Sequence, residues 1–135
     1  LQSTAEELAE AEAGTFDIVC CLEMLEHVPD PASVISACAE LARPGANLYF
    51  STINRNPKAF VFAIVGAEHI LHLLPAGTHD YAKFIKPSEL AGWAREAGLV
   101  VEGMTGLTYN PLTRHYRLNP RDVSVNYMGH VVKPE

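Results

Sequence analysis

Two apolar runs of strand length, joined by one segment of helix length, constrain this chain more than any other feature. Phe16–Leu22 reads FDIVCCL and lacks the alternation of a strand with one wet face, so it predicts a central strand covered on both sides. Residues 47–53 (NLYFSTI) form the second run. Between them, Asp30 is placed to cap a helix starting at Pro31, and Val34, Ile35, Cys38, Leu41 and Ala42 recur at helical spacing until Pro44-Gly45 stops it. A strand, a helix and a strand at this spacing imply a right-handed crossover between parallel neighbours, and hence an α/β fold.

The flanks extend the pattern. Residues 3–13 are rich in Ala and Glu and suit a solvent-facing helix that Gly14 ends. Another helix begins near Ser88, presents Leu90, Trp93 and Ala94 on one face, and is capped by Gly98. Residues 99–104 and 123–132 are β-like, which predicts one antiparallel strand near the end of a parallel sheet. There is no repeat or linker, and 135 residues with 48% apolar content suit a single domain or part of one. The opening Leu1-Gln2-Ser3, with no initiator Met or signal pattern, reads as the interior of a longer chain.

Ten basic against sixteen acidic residues give a net charge of −6, the wrong sign for a protein that binds by neutralising phosphates, so nucleic acid is not an expected partner. Cys20, Cys21 and Cys38 are odd in number and lack CxxC spacing. They read as small hydrophobes of a protein in a reducing cytosol.

Residues 60–74 are apolar almost all round, with Glu68, His69 and His72 as a small polar patch, and are too few to span a bilayer. A core helix is one reading. The other is an interfacial helix, since Phe60, Phe62, Ile64, Ile70, Leu71 and Leu74, with Lys58 near the start, offer more apolar surface than one sheet face needs.

Ligands of open parallel sheets bind beyond the carboxyl ends of the strands, which here gives the privileged place to Glu23-Met24-Leu25-Glu26-His27. In a helical turn, Glu23, Glu26 and His27 would share a side and offer two carboxylates and an imidazole to a divalent ion. That set suits magnesium or manganese and is also acceptable to zinc; the alternative is a solvated loop whose acids cap nearby amides. His79, in Gly77-Thr78-His79-Asp80, is either a fourth ligand or a surface histidine.

These residues carry a resemblance. Phe16-Asp17-Ile18-Val19 followed by Leu22-Glu23-Met24-Leu25-Glu26-His27-Val28, and then Leu41-Ala42-Arg43-Pro44-Gly45, resembles successive motifs of class I methyltransferases. Ser51-Thr52-Ile53-Asn54-Arg55-Asn56, Val65-Gly66-Ala67-Glu68, Gly77-Thr78-His79-Asp80, Phe84-Ile85-Lys86-Pro87-Ser88-Glu89-Leu90, Tyr109-Asn110-Pro111 and Val125-Asn126-Tyr127-Met128 narrow it to the bacterial UbiG-type ubiquinone biosynthesis O-methyltransferases.

The resemblance implies the C-terminal part of a Rossmann-like sheet and methyl transfer from S-adenosylmethionine to phenolic hydroxyls of polyprenylated phenol or quinol substrates. It places Leu22 beside the adenine of the cofactor. The E-x-x-E-H string with a later histidine is also similar to the metal site of small-RNA 2′-O-methyltransferases, which motivates Glu23, Glu26, His27 and His79 as ligands of a divalent metal, magnesium being favoured. Bound metal would stabilise the substrate oxyanion and orient it. The segment 58–74 would meet the membrane surface, giving a cytoplasmic enzyme peripheral to the inner face of the membrane, with other enzymes of the ubiquinone pathway as further partners. No acidic-x-Gly-x-Gly loop precedes Phe16, so the chain by itself is expected to be inactive. An RNA 2′-O-methyltransferase and a non-catalytic lipid-binding module are the alternatives.

Overall fold

The computed structural model describes residues 2–61, 64, 75, 80–110 and 112–135. The order is α1 (Ala5–Glu12), β1 (Phe16–Leu22), α2 (Pro31–Leu41), β2 (Ala42–Ile53), a single helical turn α3 (Pro57–Ala59), α4 (Pro87–Glu96), β3 (Val100–Asn110), β4 (His115–Asn119) and β5 (Asn126–Val132).

Local chemistry sets the helix ends. Thr4 and Glu7 form a reciprocal capping box at α1, with Glu7 N donating to Thr4 Oγ1 at 3.1 Å and Thr4 N to Glu7 Oε2 at 3.0 Å. Asp30 caps α2 as the sequence predicts, accepting from Ser33 N at 3.1 Å, with Pro31 in the first helical position. At its other end, Lys133 Nζ donates to the carbonyls of Ala39 and Ala42, each at 2.8 Å, supplying cationic donors to orphan carbonyls. Gly14 (φ 68°) and Gly98 (φ 78°) hold the left-handed conformations that follow α1 and α4.

The strands form one five-stranded sheet in the order β1-β2-β5-β3-β4. β1 and β2 run parallel, β5 is inserted antiparallel between β2 and β3, and β4 is antiparallel to β3. β5 is the antiparallel strand that the sequence predicts. β4 adds a second, which the sequence reading does not assign: its largely exposed HYRLN run alternates only two apolar residues, Tyr116 and Leu118, with polar ones.

β1 departs from expectation in its place. The sequence reads it as central, but among the described residues it pairs only with β2 and forms the sheet edge, with Ile18 59% and Leu22 49% exposed and only Cys21 buried. Composition reports what burial a strand tolerates; it does not report how many neighbours the strand finds.

Val34, Ile35 and Cys38 of α2, Leu90 and Ala94 of α4, and Leu48, Phe50, Tyr127 and Val131 of the sheet form the main core. α1 joins through Ala9, packed with Ala37 and Leu41. All three helices therefore cover one sheet face, and burying Phe50 there contributes about 2 to 3 kcal/mol. Alternation sends Ile18, Cys20, Tyr49 and His130 to the other face, where the Tyr49 and His130 rings stack at 4.8 Å. No helix among the described residues is long and apolar enough to cross a membrane. Most of the apolar segment 60–74 lies outside the described residues.

Candidate active site at the carboxyl ends of β1 and β2

β1 ends at Leu22, opposite Ser51 of β2. The next residue, Glu23, has φ 51°, a left-handed conformation that disfavours a side chain and needs local bonds to persist. Those bonds come from β2 and β5. Glu23 N donates to Ser51 O at 3.0 Å and to Ser51 Oγ at 3.1 Å, and Ser51 Oγ donates to Glu23 Oε1 at 2.8 Å. Asn126 Nδ2 reaches Glu23 Oε2 at 3.4 Å.

The chain then makes a tight turn at Leu25–His27, with Leu25 fully buried as its anchor. Glu26 is 3% exposed, and its Oε2 accepts from Thr52 Oγ1 at 2.7 Å. Its other oxygen, Oε1, is buried with no hydrogen-bond partner among the described residues. Burying a carboxylate costs several kcal/mol unless it is compensated, so this oxygen marks a place where a ligand or a cation would be welcome.

His27 is exposed at the end of the turn. The sequence reading assumed one helical turn containing Glu23, Glu26 and His27. Instead Glu23 precedes the turn in a left-handed conformation, Glu26 turns inward and His27 faces out. Among the described residues no three of His, Cys, Asp and Glu are grouped to hold a metal, and His79 lies outside those residues.

Next to this turn, Cys21 and Cys38 are both buried. The neighbouring Cys38 pulls the Cys21 thiol below its ordinary value, while Cys21 and burial push the Cys38 thiol far up. Tyr127 donates to Ile85 O at 2.9 Å; burial, with Glu89 and Glu26 nearby, holds its phenol well above the usual range.

Sequence reasoning missed the polar side chains that build the site's frame. Ser51 and Thr52 position the two glutamates. Asn54 N donates to Val125 O at 2.7 Å and its Nδ2 to Val123 O at 2.9 Å, while Asn56 Nδ2 donates to Ser124 O at 2.6 Å. Arg55 pairs with Glu89 and donates to Phe84 O at 3.1 Å. Ile85 N donates to Ile53 O at 2.9 Å, so the chain that leaves β2 returns to its very end. The signal was available: five of the six residues in Ser51-Thr52-Ile53-Asn54-Arg55-Asn56 are polar, where a strand should leave its core.

Comparison with known proteins agrees with this geometry. Residues 2–103 match the family model of a methyltransferase domain. Curated relatives named ubiquinone biosynthesis O-methyltransferase include one from Saccharophagus degradans, 62% identical over 98% of this chain and 56% of its own length. Another, from Hahella chejuensis, is 66% identical over the same shares. The chain thus spans just over half the length of the curated relatives it matches. Among solved structures, a SAM-dependent methyltransferase from Thermotoga maritima superposes with a TM-score of 0.71 at 16% identity, over 98% of this chain and 63% of its own. One from Methanosarcina mazei gives 0.57 at 17% identity, over 91% and 61%. These two share the fold, the Rossmann-like α/β sheet. With its sheet, its strand-end glutamates and this family match together, the chain belongs to the methyltransferase domain family.

Proposed function

We propose that this chain is the part of an O-methyltransferase that transfers a methyl group from S-adenosylmethionine to phenolic hydroxyls of polyprenylated ubiquinone precursors. The observation that carries the reading is 62% to 66% identity, along almost the whole chain, to relatives named for that step. Leu22 is the residue proposed to pack against the cofactor's adenine, a reading that its half-exposed position where β1 ends supports.

A divalent metal is the second element of the proposal, with Glu23, Glu26, His27 and His79 as its ligands. The free, buried Glu26 Oε1 supports it, although the three described candidates do not make a site by themselves. A bound cation would stabilise the phenolate oxygen of the substrate. The residues themselves do the positioning: Ser51 and Thr52 hold the carboxylates at the strand ends, whatever they face. The segment 58–74 is proposed to rest on the inner face of the membrane, with Phe60 and Val61, 41% and 53% exposed, as its described beginning.

The test joins the part of the Hahella chejuensis relative that this chain does not match to this chain, and measures S-adenosylmethionine binding and methylation of a demethylated quinol. Turnover that is lost when Leu22 is changed to Asp supports the reading; an extended chain that binds cofactor but methylates no quinol sinks the substrate assignment. Calorimetry with magnesium and manganese on the parent and Glu26→Gln tests the metal separately, and equal binding by both removes Glu26 from the ligand set.

A further inference from the structure

The charge of this chain is unevenly placed. All sixteen acidic residues lie outside 103–121, a stretch that holds three of the ten basic residues, Arg114, Arg117 and Arg121, together with His115. That stretch covers the distal part of the β3–β4 hairpin and the turn after β4; Glu102 lies at the start of β3, away from the tip. Among the described residues none of its three arginines enters an ion pair.

The hairpin is also two-faced. Its register pairs Leu107 with Leu118 and Tyr109 with Tyr116, which puts these four on one face, and pairs Thr108 with Arg117 and Asn110 with His115 on the other. The Tyr109 and Tyr116 rings meet at 4.8 Å. On the apolar side Tyr116 and Leu118 are 67% and 64% exposed, and Leu112 at the tip is 93% exposed. Thr108, Asn110, His115 and Arg117 of the polar side, together with Tyr109, line a shallow pocket of about 320 Å³.

We propose that this hairpin docks on an anionic phospholipid surface. Leu112 enters at the tip, the tyrosines lie at the level of the headgroups, and the three arginines face the lipid phosphates. Tyrosine suits such an interface because its ring is apolar and its hydroxyl stays wet, and arginine because its stem packs while its guanidinium binds phosphate. The orientation is fixed by the sheet. β3 runs parallel to β1 and β2, so the hairpin projects from the same carboxyl end that carries Glu23 and Glu26. Docking would turn that end toward the bilayer, where a long-tailed substrate resides.

The inference extends the peripheral-membrane reading to a second element and rests on it only for the setting. It is tested by sedimenting the chain with vesicles of phosphatidylcholine alone or with phosphatidylglycerol added. The parent is expected to bind the anionic vesicles more tightly, with binding weakened by salt. The triple variant R114Q, R117Q, R121Q should bind on the order of a hundredfold more weakly, and Leu112→Asp roughly tenfold more weakly, with unchanged circular dichroism as the check on folding. Equal binding to both vesicle types overturns the proposal, as does undiminished binding by the triple variant. Binding to neither kind of vesicle also overturns it and points to an acidic protein as the occupant. Phe60→Asp separates the two membrane elements: if it alone abolishes binding, the segment 58–74 stands and the hairpin falls.

Discussion

Glu26 and Glu23 are one string in the sequence and two environments in the molecule. The motif and its position after a strand were readable; which way each side chain points was not, because that depends on a single left-handed residue and a turn of three. Thr52 provides the described hydrogen bond to the buried Glu26 carboxylate. Replacing it by Val leaves both oxygens of that group without a donor and should destabilise the fold by about 2 to 3 kcal/mol. Urea unfolding of Thr52→Val and Thr52→Ser decides it: the Ser variant should recover most of the loss, and a Val variant as stable as the parent would show that the carboxylate is satisfied otherwise. The cysteines give a second residue-scale outcome. Cys20 is exposed while Cys21 and Cys38 are 6% and 4% exposed, so a thiol reagent should label Cys20 first and the other two only on unfolding. Mass spectrometry of a labelling time course would expose a failure as simultaneous labelling of all three.

At the scale of elements, the parts legible in the sequence were those that carry their own punctuation. α2 begins at a capping Asp followed by Pro, and α4 is followed by a left-handed Gly, so both were placed within a residue or two. β4 was missed because its alternation spans only two apolar positions, Tyr116 and Leu118, and its strand character depends on pairing with β3. Gly106 shows how closely the loop after β4 passes over β3, since a Cβ there would stand 1.6 Å from the backbone oxygen of Asp122. Gly106→Ala must push a backbone segment aside, and the expected loss is about 2 kcal/mol or more, seen as a lower melting temperature together with faster amide exchange in 106–122. The same loop is pinned by Asp122, which accepts from Ser124 and Lys58; the Ser124 hydroxyl first, then its N–H and the Lys58 ammonium, pull the carboxyl down to about 2. A folded value below the ordinary 3.8 means the stabilisation is complete above the normal carboxyl range and is lost as pH falls through about 2. The group is only partly buried, so the gain of the parent over Asp122→Asn should be under about 1 kcal/mol near neutrality and fade as pH falls through about 2. A difference that persisted in acid would assign the effect to packing.

The molecule as a whole has three helices on one face of its sheet and none described on the other, and this asymmetry sets its solution behaviour. Every helix-facing position is filled, from Ile35 and Phe50 to Leu90 and Tyr127. The opposite alternation and the β1 edge leave Phe16, Ile18 and Leu22 between 37% and 59% exposed, beside an exposed Met24. The one charge on β1, Asp17, is engaged by Arg43, and no Pro or Lys interrupts the strand. A flat apolar edge with open backbone donors and acceptors and no gatekeeper is a template for another strand. The sequence reading of FDIVCCL as a central strand is overturned by its place at the sheet edge, although its composition suits more cover than the described elements give it. The chain should therefore associate as its concentration rises, through β1. Sedimentation velocity over a concentration series tests this, with Ile18→Lys as the decisive variant. That residue is 59% exposed, so the substitution removes no core contact but places a charge on the edge. The variant should remain monomeric at concentrations where the parent does not, and its melting temperature should stay within a degree or two of the parent's. A parent that is monomeric throughout would mean the edge is already protected, and equal association by the variant would move the contact to another surface, the β3–β4 hairpin with its exposed Leu112, Tyr116 and Leu118 being the next candidate.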